Sequence, residues 1–266
     1  MARSRRKPSG PGVWLYGRHA VTAALRNPER RWRRLVVLAG QEKEATVLVA
    51  GARAVKHEGE AAVAVLDHKG FAAILPRHAV HQGLALEVEP LAEPDLDDVL
   101  RGVASASGRC IIVMLDQLSD PQNIGAVLRS AAAFGALAVA VPAHRAPPVT
   151  GALAKAASGA LESVSLIRIV NLARALDQLK GAGFWICGLQ EAAPNLLAEL
   201  DVGERVAIVL GSEGGGIRRL VRERCDFLAR LPTHPAQPSL NVSNAAAVAL
   251  YELTRGRNAG SALPER

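Results

Sequence analysis

The sequence lacks the long apolar segments that a membrane-spanning or secreted protein carries. No run approaches the ~20 consecutive apolar residues that a transmembrane helix needs, and the basic N-terminal stretch MARSRRKPSGPG has no apolar centre of a secretory signal. The chain has 266 residues, of which 49% are hydrophobic and 21% charged, and this balance is typical of a soluble globular protein. We therefore expect a cytoplasmic protein with no membrane partner.

Cysteine is scarce, and candidate metal ligands do not cluster. Of the three cysteines, Cys110 and Cys187 lie in the apolar runs CIIVML and FWICGL, which predicts buried thiols in a reducing compartment and no disulfide. His78 and His81 lie in a predicted loop with no third ligand nearby, and we interpret them as surface histidines. The sequence therefore predicts no metal site.

The glycine-rich stretch 211–216, GSEGGG, lacks the features of two common nucleotide-binding loops. No Lys-Ser or Lys-Thr pair follows Gly216, which excludes a Walker-type phosphate loop. The G-x-G-x-x-G pattern and the downstream acidic residue of a dinucleotide-binding domain are also missing from the required strand-to-helix context. The glycines therefore need another explanation.

Positive charge is present in excess, with a formal net charge of +7. Lysine and arginine side chains that neutralise phosphates release counterions, so this charge suits a polyanionic partner such as RNA. A basic enzyme without a nucleic-acid partner is the alternative.

Residues 12–90 alternate between helical and extended patterns and predict a small α/β domain. The expected order is a helix at 17–25, a strand at 35–38, a helix at 45–55, a strand at 61–66, a short helix at 68–75 and a strand at 84–88. Residues 1–11 form a basic tail that we expect to be flexible. Residues 91–108, rich in proline and acidic residues, form a linker with one short helix at 96–103.

The densest basic cluster in this half precedes the 35–38 strand. It consists of Arg30, Arg31, Trp32, Arg33 and Arg34. The arginines are candidate phosphate contacts and the indole ring can stack on a base, so we predict that the cluster binds RNA. A solvated charged face is the alternative.

Residues 109–258 predict a mostly parallel sheet covered by helices on both faces, followed by a second flexible tail at 259–266. Strands are expected at 110–115, 136–141, 164–168, 184–189 and 206–210, with a helix starting at 121 and further helices at 151–161 and 172–182. Ligands bind beyond the carboxyl ends of the strands in such sheets. Both the glycine-rich stretch and the loop after Leu231 lie at such ends.

The segment after the first of these strands predicts a capped helix with functional groups in its first turns. Asp120 can cap it and Pro121 suits its first position, which places Asn123 and Gly125 near the start and Arg129 on the Gly125 face. A glycine here allows another backbone or a substrate to approach closely. The alternative is an ordinary capped helix with a solvated arginine.

The stretch 231–251, LPTHPAQPSLNVSNAAAVALY, predicts a loop that leads into a helix. Its three prolines remove backbone donors, and apolar residues from Val242 onward recur at helical spacing. Ser239, Asn241 and Ser243 crowd the helix start, although one or two such side chains suffice to cap it. The surplus polar groups predict a ligand, and an over-capped helix is the alternative.

Three motifs resemble those of the SpoU/TrmH family of RNA ribose 2'-O-methyltransferases, in the SPOUT superfamily. They are motif one, NIGAVLR at 123–129, motif two, LGSEG at 210–214, and motif three, SLNVS at 239–243. The resemblance covers the chain from about Leu115 to Leu253. Through YGRHAV at 16–21 and HQG at 81–83, the N-terminal half resembles the ribosomal-protein-L30e-like substrate-binding domain that precedes the catalytic domain in one branch of the family.

The resemblance implies an α/β fold whose C-terminal parallel-sheet domain is tied in a trefoil knot, with the cofactor S-adenosyl-L-methionine held in the knot. By correspondence with the family motifs, Gly211, Leu231 and Leu240 line the adenosyl pocket. The same correspondence places five residues in or beside the active site: Asn123, Arg129, Glu213, Ser239 and Asn241. The family completes this site across a homodimer and requires no metal.

The implied activity is transfer of a methyl group to the ribose 2'-oxygen of a guanosine in RNA by in-line displacement. The additional N-terminal domain favours 23S rRNA as the substrate; tRNA is the alternative substrate, and a non-catalytic RNA-binding homologue is the alternative function. Family mechanisms assign removal of the hydroxyl proton to Arg129. Because a guanidinium is effectively always protonated, we favour Arg129 as a clamp on the target phosphate that also stabilises developing oxyanion charge.

Overall fold

The structure is a computed structural model that describes residues 12–54, 62–103, 108–144, 146–212, 214–236 and 239–255. By its internal contacts the chain divides into two units. The first comprises Met1–Glu93 with Pro147–Ser163, and the second comprises Pro94–Ala146 with Val164–Arg266. The two predicted flexible tails, 1–11 and 259–266, lie outside the described residues.

The first unit is built on a four-stranded sheet. Its elements up to residue 88 are β1 (Val13–Tyr16), α1 (Arg18–Arg26), β2 (Trp32–Leu38), α2 (Glu42–Ala54), β3 (Ala62–Leu66), α3 (His68–Ile74) and β4 (Leu84–Val88). The strand order is β1-β4-β2-β3, with β4 antiparallel to both of its neighbours and β3 parallel to β2. Val36 of β2, Ala85 of β4 and Phe71 of α3 pack in one core. The predicted small α/β domain is confirmed.

β2 begins at Trp32, three residues before the predicted strand. Its added residues pair with β4, where Arg34 lies opposite Glu87. The side chains of Arg33 and Arg34 also lie near the carboxylates of Glu89 and Glu87. Cross-strand pairs of opposite charge stabilise a sheet, which explains why a charged run with no apolar pattern is extended here.

The elements after residue 94 alternate between strands and helices. They are α4 (Leu96–Val103), β5 (Cys110–Leu115), α5 (Pro121–Ala133), β6 (Ala138–Pro142), α6 (Gly151–Ala157), β7 (Ser165–Ile169), α7 (Leu172–Gly181), β8 (Trp185–Leu189), β9 (Asn195–Leu196), β10 (Arg205–Leu210), α8 (Arg219–Arg222), β11 (Phe227–Arg230) and α9 (Val242–Thr254). Short 3-10 helices lie at Ala160–Glu162 and Leu197–Glu199. Of these elements, α6 and the first 3-10 helix belong to the first unit.

The sheet of the second unit has seven strands in the order β7-β6-β5-β10-β8-β11-β9, and its strand pairs are parallel. β5 is buried along its whole length, as expected for a strand covered by helices on both faces. The predicted parallel sheet is confirmed. β9, α8 and β11 are missing from the predicted order because segments of two to four residues show no recognisable periodicity.

The segment Pro147–Ser163 makes its contacts within the first unit, although the predicted 109–258 domain includes it. α6 packs so closely on β1 that a Cβ atom at Gly151 would lie 2.3 Å from the carbonyl oxygen of Trp14. α6 ends at Ala157, four residues before its predicted end, because the next two residues have left-handed φ angles of 51° and 94°. The first unit is therefore assembled from two separate parts of the chain.

No helix within the described ranges is long and apolar enough to cross a membrane. The three cysteines carry free thiols, and Cys110 and Cys187 are buried. Burial raises the pKa of Cys187 to about 12, and the neighbouring Cys225 contributes a smaller part of this rise. Burial above all raises the pKa of Cys225 to about 11. Both thiols are therefore neutral at physiological pH and poorly suited to act as nucleophiles.

His81 is a packing residue and not the surface histidine that the sequence predicts. Its ring stacks on Phe71 with 4.4 Å between centroids, and its Nδ1 atom accepts a hydrogen bond from the amide of Gly83. Burial lowers the pKa of His81, and the charge of His68 lowers it further by a smaller amount. The neutral ring is therefore favoured. His78 is exposed as predicted. In the described part of the chain, no group of three or more His, Cys, Asp or Glu side chains could hold a metal ion.

Candidate functional site

The three motifs follow strands that lie close together in the sheet of the second unit. β5 pairs with β10, so that Leu115 lies opposite Leu210, and β8 lies between β10 and β11. Because these strands are parallel, the segments that follow β5, β10 and β11 leave the sheet at one edge. Motif one follows β5 after the segment 116–122, motif two begins at the last residue of β10, and the loop after β11 leads to motif three.

Motif one occupies the first turns of α5. The Asp120 carboxylate accepts hydrogen bonds from the backbone amides of Gln122 and Asn123 over 3.2 and 3.0 Å, and Pro121 takes the first helical position. This is the predicted cap. Gly125 is buried, and α5 packs against α9, the helix that follows motif three.

Two asparagine side chains join motif one to motif three. The Nδ2 atom of Asn241 donates a hydrogen bond to the Oδ1 atom of Asn123 over 3.1 Å. The Oδ1 atom of Asn241 accepts hydrogen bonds from the amide and the hydroxyl of Ser243, over 2.9 and 2.6 Å, and so caps α9. The structure thus brings together two of the residues that the family resemblance places in the active site.

Arg129 lies one turn beyond Gly125 on α5, and its side chain is exposed. Within the described ranges the guanidinium makes no hydrogen bond or ion pair. Ser239 is also exposed, and its hydroxyl has no hydrogen-bond partner in the same ranges. Both side chains therefore keep their hydrogen-bonding capacity for a ligand.

Motif two opens a tight loop whose described residues are 211–212 and 214–217, called here the glycine loop. A Cβ atom on Gly211 would lie 2.0 Å from the carbonyl carbon of Gly216, so a side chain at Gly211 does not fit. Ser212 and Gly216 form an isolated antiparallel bridge, in which the Gly216 amide donates to the Ser212 carbonyl over 2.9 Å. Gly214 and Gly216 have φ angles of 77° and 59°, in the left-handed region that favours glycine.

The predicted cofactor residues Leu231 and Leu240 lie at the two ends of the loop between β11 and α9. Leu231 is partly buried, whereas Leu240 is 38% exposed beside the polar Asn241. An accessible apolar side chain next to polar groups is the lining that a small-molecule pocket uses. Glu213 lies outside the described residues, so its predicted place beside the cofactor stays a prediction.

Asp116 and Arg218 form an ion pair that the three motifs do not indicate. Asp116 directly follows β5, and its side chain is fully buried. Its carboxylate accepts hydrogen bonds from the backbone amide and the Nε atom of Arg218 over 2.9 and 2.8 Å, and Nη2 lies 2.7 Å away. The signal in the sequence is a carboxylate placed directly after an uninterrupted apolar strand.

Arg30, a predicted RNA contact, is only 3% exposed. Its Nη2 and Nε atoms bind the Glu162 carboxylate over 2.6 and 3.1 Å, and its Nη1 atom donates to the carbonyl oxygen of Glu89 over 3.0 Å. Asn27 donates to the same carboxylate over 2.7 Å. Arg30 holds the Ala160–Glu162 turn within the first unit, and we remove it from the candidate RNA contacts.

The rest of the basic cluster is more accessible. Arg31 is exposed and makes no ion pair with another described residue. Arg33 and Arg34 lie 3.4 and 3.6 Å from carboxylates of the neighbouring strand, but 42% of each side chain stays exposed. Trp32 is partly buried. Three arginines therefore remain candidates for contact with RNA.

The parallel sheet with its preceding α/β unit is the architecture of a SPOUT methyltransferase. The AviRb methyltransferase of Streptomyces viridochromogenes, solved with the cofactor AdoMet, has this fold: the TM-score is 0.75 over 98% of this chain and 96% of that chain, at 22% identity. Residues 110–251 match the SpoU rRNA Methylase family, and residues 14–94 match the family described as RNA 2'-O ribose methyltransferase substrate binding. The chain belongs to the SpoU rRNA methylase family.

Two relatives show how far the similarity extends. The 23S rRNA (guanosine-2'-O-)-methyltransferase RlmB of Coxiella burnetii is 44% identical over 67% of this chain and 72% of its own length. The protein of the same name from Vibrio vulnificus is 37% identical over 92% of this chain and 97% of its own length. The similarity therefore includes both the N-terminal and the C-terminal family regions.

Proposed function

We propose that the protein transfers a methyl group from S-adenosyl-L-methionine to the ribose 2'-oxygen of a guanosine in 23S rRNA. The observation that carries the proposal is the hydrogen bond between Asn123 and Asn241, which joins motif one to motif three. Arg129 lies farther along the same helix with an exposed side chain. Relatives that span nearly the whole chain are named for methylation of 23S rRNA guanosine, which favours rRNA over tRNA as the substrate.

The residues present suit the methyl donor. The glycine loop offers backbone groups without side chains, and Leu231 and Leu240 offer apolar surface for an adenosyl group. At Gly211 the absence of a Cβ atom lets the backbone of Gly216 pack closely, which keeps the loop tight. When bound, S-adenosyl-L-methionine would supply a methyl group that is already activated on a sulfonium: the O–CH3 bond would form as the S–CH3 bond breaks, S-adenosylhomocysteine would leave, and the 2'-hydroxyl proton would pass to water.

The chain therefore has to position the ribose and stabilise charge. Arg129 offers a planar fork of donors for a phosphate and for the negative charge that develops on the 2'-oxygen. The amides of Asn123 and Asn241 and the hydroxyl of Ser239 offer further donors and acceptors that can orient the ribose. Orientation of this kind supplies most of the rate when the methyl group needs no further activation.

For the first unit, we infer that Arg31, Arg33 and Arg34 contact RNA phosphates. Replacing Arg31 and Arg33 by alanine should weaken RNA binding and reduce the slope of log affinity against log salt by roughly 0.7 to 0.9 for each lost contact. Filter binding over a salt series measures this slope. Arg30→Ala is the contrast: it should lower the melting temperature, because the buried Glu162 carboxylate loses its positively charged partner and keeps only the side-chain amide of Asn27 as a donor among those seen here. An unchanged slope in the double variant would remove Arg31 and Arg33 from the RNA interface.

We also propose that the protein is a homodimer whose active site is completed across the interface. In support, α9 exposes 44% of Val248 and 56% of Tyr251, two large apolar side chains on the helix that follows motif three. Val248→Glu should weaken the dimer by about tenfold or more, as measured by sedimentation equilibrium. The control Val170→Glu changes a valine that is 76% exposed elsewhere in the second unit and should leave the dimer intact. A monomeric wild-type protein would contradict the proposal.

Three expectations remain predictions: the trefoil knot, the cytoplasmic location and the absence of a metal requirement. A non-catalytic RNA-binding homologue is the alternative function. The exposed Arg129, which makes no ion pair with another described residue, favours the enzyme, because a protein that only binds RNA has no need for the combination of Asn123, Arg129 and Asn241 in these two motifs.

The direct test of the activity is methyl transfer by the purified protein. With radiolabelled S-adenosyl-L-methionine, we expect label in 2'-O-methylguanosine after digestion of 23S rRNA and little label in tRNA. Label in a base, or in tRNA alone, would refute the proposed substrate. RNA binding without transfer to either RNA would favour the non-catalytic alternative.

A further inference from the structure

The glycine loop is held at both ends by one buried residue, Asp116. The backbone amide of Asp116 donates to the carbonyl oxygen of Leu210, just before the loop, over 2.7 Å. The Asp116 carboxylate binds Arg218, just after the loop, through its backbone amide, Nε and Nη2. The two ends of the loop are therefore tied to the same point.

This ion pair differs from the surface pairs of the chain. Asp116 is 0% exposed, although the Arg218 side chain is 49% exposed. A buried carboxylate is stable only when its oxygens are paired, and here Oδ1 accepts from Nε while Oδ2 accepts from the backbone amide. Opening the loop at Arg218 would leave an unpaired buried charge, so the pair strongly favours the closed loop.

A second anchor fixes the same end of the loop. Ile217 is 7% exposed and belongs to the main core of the second unit. A Cβ atom on Gly188 of β8 would lie 3.0 Å from the Cδ1 atom of Ile217, so the glycine leaves room for this side chain. Asp116 follows β5, and β5 and β8 are the two neighbours of β10. The loop that follows β10 is thus held by contacts with residues of both neighbouring strand segments.

We propose that Asp116 is a positioning residue for the methyl donor, because it closes the glycine loop into the shape that holds S-adenosyl-L-methionine. This rests on the proposed function, which makes Gly211 part of the cofactor pocket. Asp116 acts through Arg218 and the loop backbone and does not itself touch the cofactor. A loop that is already ordered loses less conformational freedom on binding. Loss of the Asp116–Arg218 ion pair should therefore weaken cofactor binding more than it slows the chemical step.

The test is Asp116→Asn, which keeps the side-chain volume. The amide has one acceptor oxygen in place of two and turns an NH2 group toward one of the Arg218 donors. We expect the affinity for S-adenosyl-L-methionine, measured by calorimetry, to fall by about tenfold or more. Hydrogen exchange of the amides in the glycine loop should become faster in the cofactor-free protein. The value of kcat at saturating cofactor should stay close to that of the wild type.

Two further variants distinguish the effect of the Asp116–Arg218 ion pair from a general loss of stability. Arg218→Lys keeps the charge and the backbone amide but loses the fork of side-chain donors, so it should shift affinity and exchange in the same direction by a smaller amount. It also carries the test if Asp116→Asn does not fold. Arg219→Ala removes an exposed ion pair between Arg219, the residue after Arg218, and Glu223, and should change neither quantity.

Unchanged affinity and unchanged loop exchange in Asp116→Asn, or in Arg218→Lys if only that variant folds, would overturn the proposal. A fall in kcat at saturating cofactor with no change in affinity would overturn it as well, because the carboxylate would then act on the chemical step. A wild-type protein that does not bind S-adenosyl-L-methionine would refute the proposed function, whereas exchange in the cofactor-free protein would still show whether Asp116 closes the loop.

Discussion

Replacing Arg129 with alanine is expected to lower the rate of methyl transfer by about a hundredfold or more, the scale seen when one preorganised charge-stabilising donor is lost. The affinity for S-adenosyl-L-methionine should change little, because Arg129 belongs to motif one, whereas the residues assigned to the cofactor are Gly211, Leu231 and Leu240. Arg129 is exposed and makes no ion pair with the other described residues, so its removal breaks no contact seen in the fold. Single-turnover kinetics and calorimetry measure the two quantities separately.

Arg174→Ala is the matched control for this variant. Arg174 is an exposed arginine on α7 of the same unit, and its removal should leave both quantities unchanged. If Arg129→Ala instead loses cofactor binding or dimerisation, with no separate effect on single-turnover chemistry, then Arg129 has a structural role and the proposed mechanism is wrong.

Arg129→Lys distinguishes a phosphate clamp from a general base. Lysine keeps a point charge but loses the planar fork, and its ammonium gives up a proton more readily than a guanidinium does. A clamp predicts a poor enzyme at every pH, whereas a base predicts partial activity that rises with pH. We expect the first result from the pH dependence of the single-turnover rate.

Gly211→Ala is expected to remove most of the cofactor affinity and to lower the free energy of unfolding. The new methyl group would lie 2.0 Å from the carbonyl carbon of Gly216, and backbone cannot rotate away as a side chain can. Overpacking of this kind costs about 1–3 kcal/mol. If this whole free energy is lost from cofactor binding, the affinity for S-adenosyl-L-methionine falls by about 5- to 150-fold. Calorimetry and thermal unfolding measure the two effects.

Gly215→Ala tests whether the effect is specific to Gly211. Among the described residues, a Cβ atom on Gly215 would meet only the hydroxyl oxygen of Ser212, at 2.9 Å, and that side chain can rotate. We expect a small effect on stability and on affinity. Equal losses in the two variants would show that the loop tolerates no added side chain at all, and would remove the special role of Gly211.

The sequence is sufficient where the causes of structure are local. The cap of α5 by Asp120 and Pro121 and the cap of α9 by Asn241 depend on neighbours within a few residues, so their patterns are visible without the fold. The apolar strand at Cys110–Leu115 is visible for the same reason. Assignment of a site to these elements, however, came from the motif resemblance and not from periodicity.

The sequence is insufficient where a partner lies far along the chain. Arg30 is indistinguishable from Arg31 in the basic cluster, and only the distant Glu162 makes it a buried pairing residue. Likewise, Asp116 and Arg218 are 102 residues apart and carry no common motif. The end of α6 at Ala157 has a local cause instead, because Gly159 is a residue type that ends helices, and the predicted helix to residue 161 overlooked this signal.

Ribose-methylation mapping of RNA from cells that lack this protein tests the central claim most directly. We predict that one guanosine of 23S rRNA loses its 2'-O-methyl group in these cells, that the wild-type protein restores the group, and that the Arg129→Ala variant does not. Retention of every 2'-O-methyl group in 23S rRNA, with or without a loss in tRNA, would contradict the assignment of this protein as a 23S rRNA guanosine methyltransferase.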